Sequence, residues 1–190
     1  MKIVDDLAFS ESHMDMPIAE ATVAALKAKY DGQVTEQTDP EAFAGYKISR
    51  SPDWSTLTLS QPQKVIDAVR AHVPELLAGE TPSDLYKGTE LQTHLDALEL
   101  HPLGEGQRVS EKGKLAQAGI GSAKYFEQAT KAELSVDVHR LSSVMSNPPD
   151  DALPCVRSVI AKAYETRDEG ITFRARFTAP KREEADGGRL

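Results

Sequence analysis

The sequence predicts an α+β fold in which a small antiparallel sheet near the N-terminus is followed by a mainly helical region. Residues 43–60 contain two runs of alternating apolar and polar residues separated by Pro52-Asp53, which is typical of a β-hairpin. Apolar residues recur at helical spacing in residues 62–73 and again in residues 115–164. A short run of strands followed by a run of helices indicates segregated strands and helices rather than alternating βαβ units.

Composition places the chain among ordinary globular proteins. It has 190 residues, 39% hydrophobic and 27% charged, which is enough to bury a substantial core. The formal net charge of −8 argues against a protein whose main function is to bind nucleic acid through a basic surface. The single cysteine, Cys155, excludes an internal disulfide framework and a cysteine-based zinc site. The acidic N-terminus and the lack of a long apolar run predict an intracellular protein without a membrane partner.

The first predicted elements are short. Residues 3–9 alternate weakly around Asp5-Asp6 and predict one or two short strands with an acidic turn. A helix is expected next, with an N-cap at Asp15 and a stop at Gly32. The hairpin strands follow at Phe43–Arg50 and Thr56–Ser60.

Helical patterns dominate the remainder of the chain. Ser60 is the expected cap of a helix that has Pro62 in its first turn. Beyond it, residues 78–112 lose periodicity and contain four glycines and two prolines, so we predict a loop or linker there with one short helix near Leu91–Leu98. Three further helices are predicted at residues 115–129, 135–145 and 151–164, the last capped by Asp150 or Asp151.

The C-terminal part is predicted to end in a strand and a tail. Residues 171–177 alternate, with Arg174 and Arg176 on the polar face. The expected organisation is therefore a sheet and first helix in residues 1–77, a linker in 78–112, a helical region in 113–177 and a disordered tail in 178–190.

Three segments in collinear order resemble the reverse transcriptase of copia-type retrotransposons. Val4-Asp5-Asp6-Leu7 is similar to the family's Tyr-Val-Asp-Asp-Leu, with Ile3 in place of the aromatic residue. Residues 43–48 and 57–61 are similar to its Phe-Leu-Gly-Ile-x-Ile and Leu-Thr-Leu-Ser-Gln. Residues 121–148 are similar to its run from Gly-Ser-Leu-Leu-Tyr to Met-Ser-Asn-Pro, and residues 168–171 match its Lys-Gly-Thr-x-Asp-x-Gly segment in position. The resemblance covers about residues 2–173.

The resemblance implies the C-terminal part of an RNA-directed DNA polymerase: the last palm hairpin, the strands that grip the primer, and the thumb and connection. Asp5 is then the principal catalytic ligand of Mg²⁺ or Mn²⁺ and Asp6 the secondary one, while Gly45, Tyr46 and Lys47 contact an RNA–DNA primer-template. Two-metal nucleotidyl transfer needs converging carboxylates. A further aspartate of this family belongs to an earlier strand, which is expected upstream with the fingers. The isolated chain is therefore expected to be inactive without upstream polymerase segments or another protein.

Departures from the family pattern indicate weaker binding of nucleic acid than in the family. Lys131-Ala132-Glu133 replaces the family's Arg-Pro-Asp, and residues 157–164 carry fewer basic side chains than its Arg-Val-Leu-Arg-Tyr-Leu-Lys-Gly helix. Fewer phosphate contacts lower affinity and its salt dependence. The alternative hypothesis is a repurposed, non-catalytic interaction or structural protein in which Asp5-Asp6 is vestigial.

Other residues capable of chemistry favour structural roles. Cys155 falls on a helix face without a nearby basic partner and is predicted to be a small buried or half-buried residue rather than a nucleophile. Ser122 lacks the second glycine of a nucleophile elbow. Trp54 lies at the hairpin turn, where a packing role and a stacking role are equally expected. The histidines form no metal-ligand spacing: His13, His72, His94, His101 and His139.

Overall fold

A computed structural model describes residues 16–29, 41–43, 45–52, 55–104 and 106–174 of the chain. Within these residues the strands form one antiparallel sheet and helices make up most of the remainder, so the predicted α+β fold is confirmed. The strands expected in residues 3–9 and the tail expected in residues 178–190 lie outside the described residues. No helix in the described part of the chain is long and apolar enough to cross a membrane.

The sheet is formed by β1 (Ala42–Phe43), β2 (Tyr46–Arg50), β3 (Thr56–Ser60) and β4 (Ile171–Arg174). They lie in that order, each antiparallel to its neighbour. The predicted hairpin is confirmed as β2–β3, but the expected first strand is divided by a turn at Gly45, which has φ +82°. This left-handed conformation is one that glycine adopts without steric cost. Beyond β4, the predicted continuation to residue 177 lies outside the described residues.

The described residues contain helices α1 (Met16–Lys29), α2 (Pro62–His72), α3 (Gly88–Asp96), α4 (Glu111–Ala129), α5 (Ser135–Ser143) and α6 (Ala152–Glu165). Short 3₁₀ turns follow α2 at Pro74–Ala78 and precede α5 at Ala132–Leu134. Each predicted helix has a counterpart among them. An apolar stripe at 3.6-residue spacing is the main signal for α2, α4, α5 and α6, whereas α3 has only a weak pattern.

Two expected helix caps differ from the structure. Ser60 is the last residue of β3, and its pairing with Lys47 keeps its backbone in the strand. Gln61 therefore occupies the N-cap position of α2, and its side chain makes no capping hydrogen bond. At α6, Asp151 holds the N-cap position without a cap bond. Asp150 instead accepts a hydrogen bond of 2.9 Å from the Ser110 hydroxyl, which itself caps α4. Tertiary bonds between the two helix starts therefore replace the local cap.

The core lies within the helical region, and α6 is at its centre. Val156, Val159 and Ile160 of α6 are fully buried against α2 and α4. Burial of each such side chain stabilises the fold by about 1.5–3 kcal/mol. α4 and α6 are in tight contact at Gly119, where a Cβ would overlap the Val156 Cγ1 atom. Glycine at this position leaves room for the Val156 side chain.

The segment 78–112, predicted as a loop or linker, contributes to this same core. Its expected short helix is α3, and Leu91 and Leu95 of α3 are buried in one cluster with residues from α2, α4 and α6. Regions on both sides of the segment therefore share buried side chains.

Candidate nucleic-acid interface

The hairpin turn between β1 and β2 carries the residues that the resemblance assigns to nucleic-acid contact. Gly45 and Lys47 are exposed and Tyr46 is half-buried. Lys64, in the first turn of α2, lies against the turn: its Cε atom would be 3.3 Å from a Cβ at Gly45. Two exposed lysines therefore flank this turn.

Strand alternation gives the sheet two chemically different faces. Side chains of directly paired residues share a face, and successive residues alternate. The polar face defined by this register consists of Ala42, Lys47, Ser49, Thr56, Thr58, Ser60, Thr172 and Arg174. Across its middle the hydroxyls of Thr58 and Thr172 are hydrogen-bonded at 2.9 Å.

The opposite, apolar face is formed by Phe43, Tyr46, Ile48, Arg50, Leu57, Leu59, Ile171 and Phe173. Most of these side chains are half-buried, but Ile171 is 41% exposed and Phe173 is 52% exposed. Large apolar side chains that remain this accessible on one face indicate a surface able to pack against another element or partner.

Cations of the helical region are mostly neutralised by neighbouring carboxylates. Ion pairs join Arg70 to Asp67, Lys112 to Asp150, Lys114 to Glu111, Arg140 to Asp96, Arg157 to Glu75, Lys162 to Asp137 and Arg167 to Asp168. Within the part of the chain that the structure describes, Lys47, Lys64 and Arg174 are exposed and make no ion pair. Lys87, Arg108 and Lys124 are also exposed without an ion pair to a described residue, but they lie on separate elements, whereas Lys47, Lys64 and Arg174 lie on the sheet or beside its turn.

A group of buried and half-buried residues, which we call the junction cluster (Gln61, Thr130, Lys131, Thr166 and Gly170), lies where the sheet meets the helices. Gln61 is fully buried after β3 and accepts a hydrogen bond of 3.3 Å from Thr130 at the end of α4. Lys131 is 1% exposed and its ammonium donates to the Thr166 carbonyl, to the Thr166 hydroxyl at 3.1 Å and to the Glu169 carbonyl at 3.0 Å. The lysine thus satisfies carbonyls at the C-terminal end of α6, where a cation is favoured.

Gly170 completes the junction cluster on the sheet side. A Cβ at this position would overlap the carbonyl oxygen of Leu59 and lie 2.7 Å from the carbonyl carbon. The backbone leaving α6 therefore passes directly over β3 before pairing with it as β4.

The predicted metal ligands Asp5 and Asp6 lie outside the described residues. Elsewhere, within residues 16–174 as far as they are described, no three histidine, cysteine or carboxylate side chains are grouped so as to hold a metal ion. The assignment of Mg²⁺ or Mn²⁺ to Asp5 and Asp6 stays a prediction.

An open groove of about 480 Å³ lies between α4 and α5. Lys124, Glu127, His139 and Arg140 are among the residues that line it. Arg140 is bound to Asp96 at 3.0 Å, and Glu127 places a carboxylate in the groove. These mixed charges give the groove little preference for an anion.

Cys155 is fully buried, as its place on the predicted helix face indicates, and desolvation raises the pKa of its thiol from 9.0 to about 11. The folded state therefore holds the thiol proton more tightly than the unfolded state. Its contribution to stability is complete below pH 9.0 and is lost as the pH rises towards 11.

We expect iodoacetamide to alkylate Cys155 at pH 8 about 100-fold more slowly in the folded chain than in urea, because thiolate is the reactive form. Mass spectrometry of quenched samples measures both rates. Rapid labelling of the native chain would contradict the buried position.

The histidines that the structure describes are distributed over the helical region. His72 is half-buried and desolvation lowers its pKa, while the His94 ring stacks on Tyr86 with centroids 3.8 Å apart. His101 and His139 are exposed. His13 and the side chain of Trp54 lie outside the described residues.

Two elements of this surface have no direct signal in the sequence. Lys64 reads as an ordinary helix residue, and its position beside Gly45 follows only from the direct connection of β3 to α2. The pairing of Thr58 with Thr172 spans 114 residues, although the polar alternation of both strands is visible in the sequence.

The fold and this surface define an α+β protein with unpaired cations on one face of its sheet. Comparisons of the chain with known proteins found no matching family model, no matching curated protein and no matching solved structure.

Proposed function

We propose that the chain is a fragment of a retroelement Pol polyprotein, derived from an RNA-directed DNA polymerase of the copia type, that is not catalytic on its own. It holds an RNA–DNA primer-template weakly through the turn at Gly45, Tyr46 and Lys47. Nucleotidyl transfer requires upstream polymerase segments that complete the metal site begun by Asp5 and Asp6.

The observation that carries this proposal is the junction cluster. Gln61, from the second segment of the resemblance, accepts a hydrogen bond from Thr130, from the third. Gly170, from the segment that follows, lies against the backbone of Leu59 and Ser60 in the second segment. These contacts bring the separate segments of the resemblance together in one part of the fold, as the proposal expects.

Weak binding follows from the charges. Lys47 and Lys64 at the turn and Arg174 on β4, on a chain of formal net charge −8, allow only a few phosphate contacts. We expect a dissociation constant on the order of 10 µM at 50 mM salt and a log–log salt slope of about −2 to −3.

Fluorescence anisotropy of a labelled RNA–DNA primer-template, titrated at 50 and 200 mM salt, tests this expectation. Primer extension with Mg²⁺ in the same samples is expected to give no product. Extension of the primer by the isolated chain contradicts the proposed dependence on upstream segments. Absence of binding at 50 mM salt removes the nucleic-acid role.

A second candidate is the repurposed interaction or structural protein with a vestigial Asp5-Asp6. The exposure of Ile171 and Phe173 on the apolar face of the sheet favours it, because such a face gains stability when it is covered. It is the preferred function if the chain fails to bind the primer-template at low salt.

A further inference from the structure

The geometry points to the polar face of the sheet as a phosphodiester-binding platform that contacts the RNA strand of a hybrid. We define the platform as Lys47, Ser49, Thr58, Thr172 and Arg174. The inference rests on the proposed function and extends it from the turn between β1 and β2 to a surface that includes β4.

Register places all five platform side chains on one face. Lys47 is paired with Ser60, Thr58 with both Ser49 and Thr172, and Arg174 with Thr56. From strand spacing and rise, the Cα atoms of Lys47 and Arg174 are about 17 Å apart across the sheet. That distance corresponds to the axial length of about five nucleotides.

The charges of the platform indicate that its ligand is a polyanion. Lys47 and Arg174 are both exposed, and neither forms an ion pair with any residue described in the structure. Arg70, Lys114, Arg140 and Lys162 of the helices are paired with carboxylates. Lys47 and Arg174, in contrast, lie on one sheet face whose described strand positions hold no carboxylate to compete with a polyanion.

The hydroxyl groups between the two cations are able to form hydrogen bonds with the sugar as well as with the phosphate of a nucleic acid. The Thr58 and Thr172 hydroxyls form a hydrogen bond of 2.9 Å with each other on the protein surface. Ser49 is paired with Thr58 on the neighbouring strand. A hydroxyl both donates and accepts, as does the ribose 2′-hydroxyl, which distinguishes RNA from DNA. The platform is therefore expected to prefer a hybrid over a DNA duplex.

The test compares two double variants that change the net charge equally. K47A/R174A removes both platform cations, whereas K112A/K114A removes two exposed lysines that are paired with Asp150 and Glu111. In anisotropy with the RNA–DNA primer-template, we expect K47A/R174A to bind about tenfold more weakly at 50 mM salt, with a log–log slope less steep by about 2. The K112A/K114A control is expected to remain within about twofold of the wild-type affinity with an unchanged slope.

The outcomes separate the platform from the proposed function. Wild-type binding that K47A/R174A leaves unchanged overturns the platform while the fragment still binds nucleic acid elsewhere. Equal losses in both double variants also overturn it, because net charge alone then explains the effect. A wild-type chain that does not bind overturns the platform together with the nucleic-acid role.

A second comparison addresses the hydroxyls without altering charge. We expect the wild-type chain to bind the hybrid about threefold more tightly than a DNA duplex of the same sequence, and T58V/T172V to abolish that difference. Valine preserves shape and strand propensity, so the sheet is expected to stay folded. Equal wild-type affinity for the two duplexes overturns the contact with the RNA strand.

Discussion

Substitution of Gly170 by alanine is expected to lower the free energy of unfolding by about 3 kcal/mol, one of the two largest effects we predict. The added Cβ overlaps the Leu59 carbonyl oxygen and lies 2.7 Å from its carbon. Both are backbone atoms held by strand pairing, so no side-chain rotation relieves the overlap. β4 must then move away from β3, which breaks the pairing of Leu59 with Ile171. Urea denaturation followed by circular dichroism measures the change.

Gly121→Ala is the matched control for this substitution. Gly121 lies within α4, and nothing is within 4 Å of the position its Cβ would take. Alanine is favoured over glycine in a helix by about 1 kcal/mol, so this variant is expected to be more stable than the wild type. If Gly170→Ala were as stable as the wild type, the close passage over β3 would be wrong.

Replacement of Lys131 by methionine is expected to cost about 3 kcal/mol of stability. Methionine has a similar length and fills the buried space, but it donates no hydrogen bond. The carbonyls of Thr166 and Glu169 then lose their charged donor. For a chain of this size, thermal melting is expected to shift downward by roughly 10 °C.

Two further variants show whether the lost hydrogen bonds are the cause. Lys131→Arg keeps the charge and the donors, and we expect a loss of only about 1 kcal/mol from the larger side chain. Lys114→Met removes an exposed lysine paired with Glu111 and is expected to change stability by less than about 0.5 kcal/mol. Equal losses for methionine and arginine at residue 131 would indicate that shape rather than hydrogen bonding determines the effect.

The regular elements are predictable because their signals are local. The 3.6-residue apolar stripe of α6 and the alternation of β2 and β3 each lie within one short window of sequence. Ser60 shows the limit of such reasoning. It is a favourable helix cap by residue type, yet pairing opposite Lys47 keeps it in β3. The apolar pattern of α3 is weak within its own sequence. The helix is stabilised by burial of Leu91 and Leu95 in the common core, which is a tertiary contact and has no local signal.

The candidate surface was predictable only in part. Gly45, Tyr46 and Lys47 follow from the resemblance, but Arg174 reads as a solvated strand residue until β4 is placed beside β3. Whether a cation is free depends on neighbours that are distant in sequence: Arg140 is neutralised by Asp96, and Lys162 by Asp137. Lys131 reads as a surface residue, and only its contacts with the end of α6 reveal why a lysine is buried there.

The pairing of β3 with β4 has a consequence for how the chain folds. It joins residues 56–59 to residues 171–174, with the helical core lying between them in sequence. Closing a loop of this length carries an entropic penalty that nearby contacts do not. We therefore expect the helices to assemble first and β4 to join the hairpin last. The surface that contains both Lys47 and Arg174 is then complete only in the fully folded chain, whereas the pairing of β1 with β2 around Gly45 joins residues that are close in sequence.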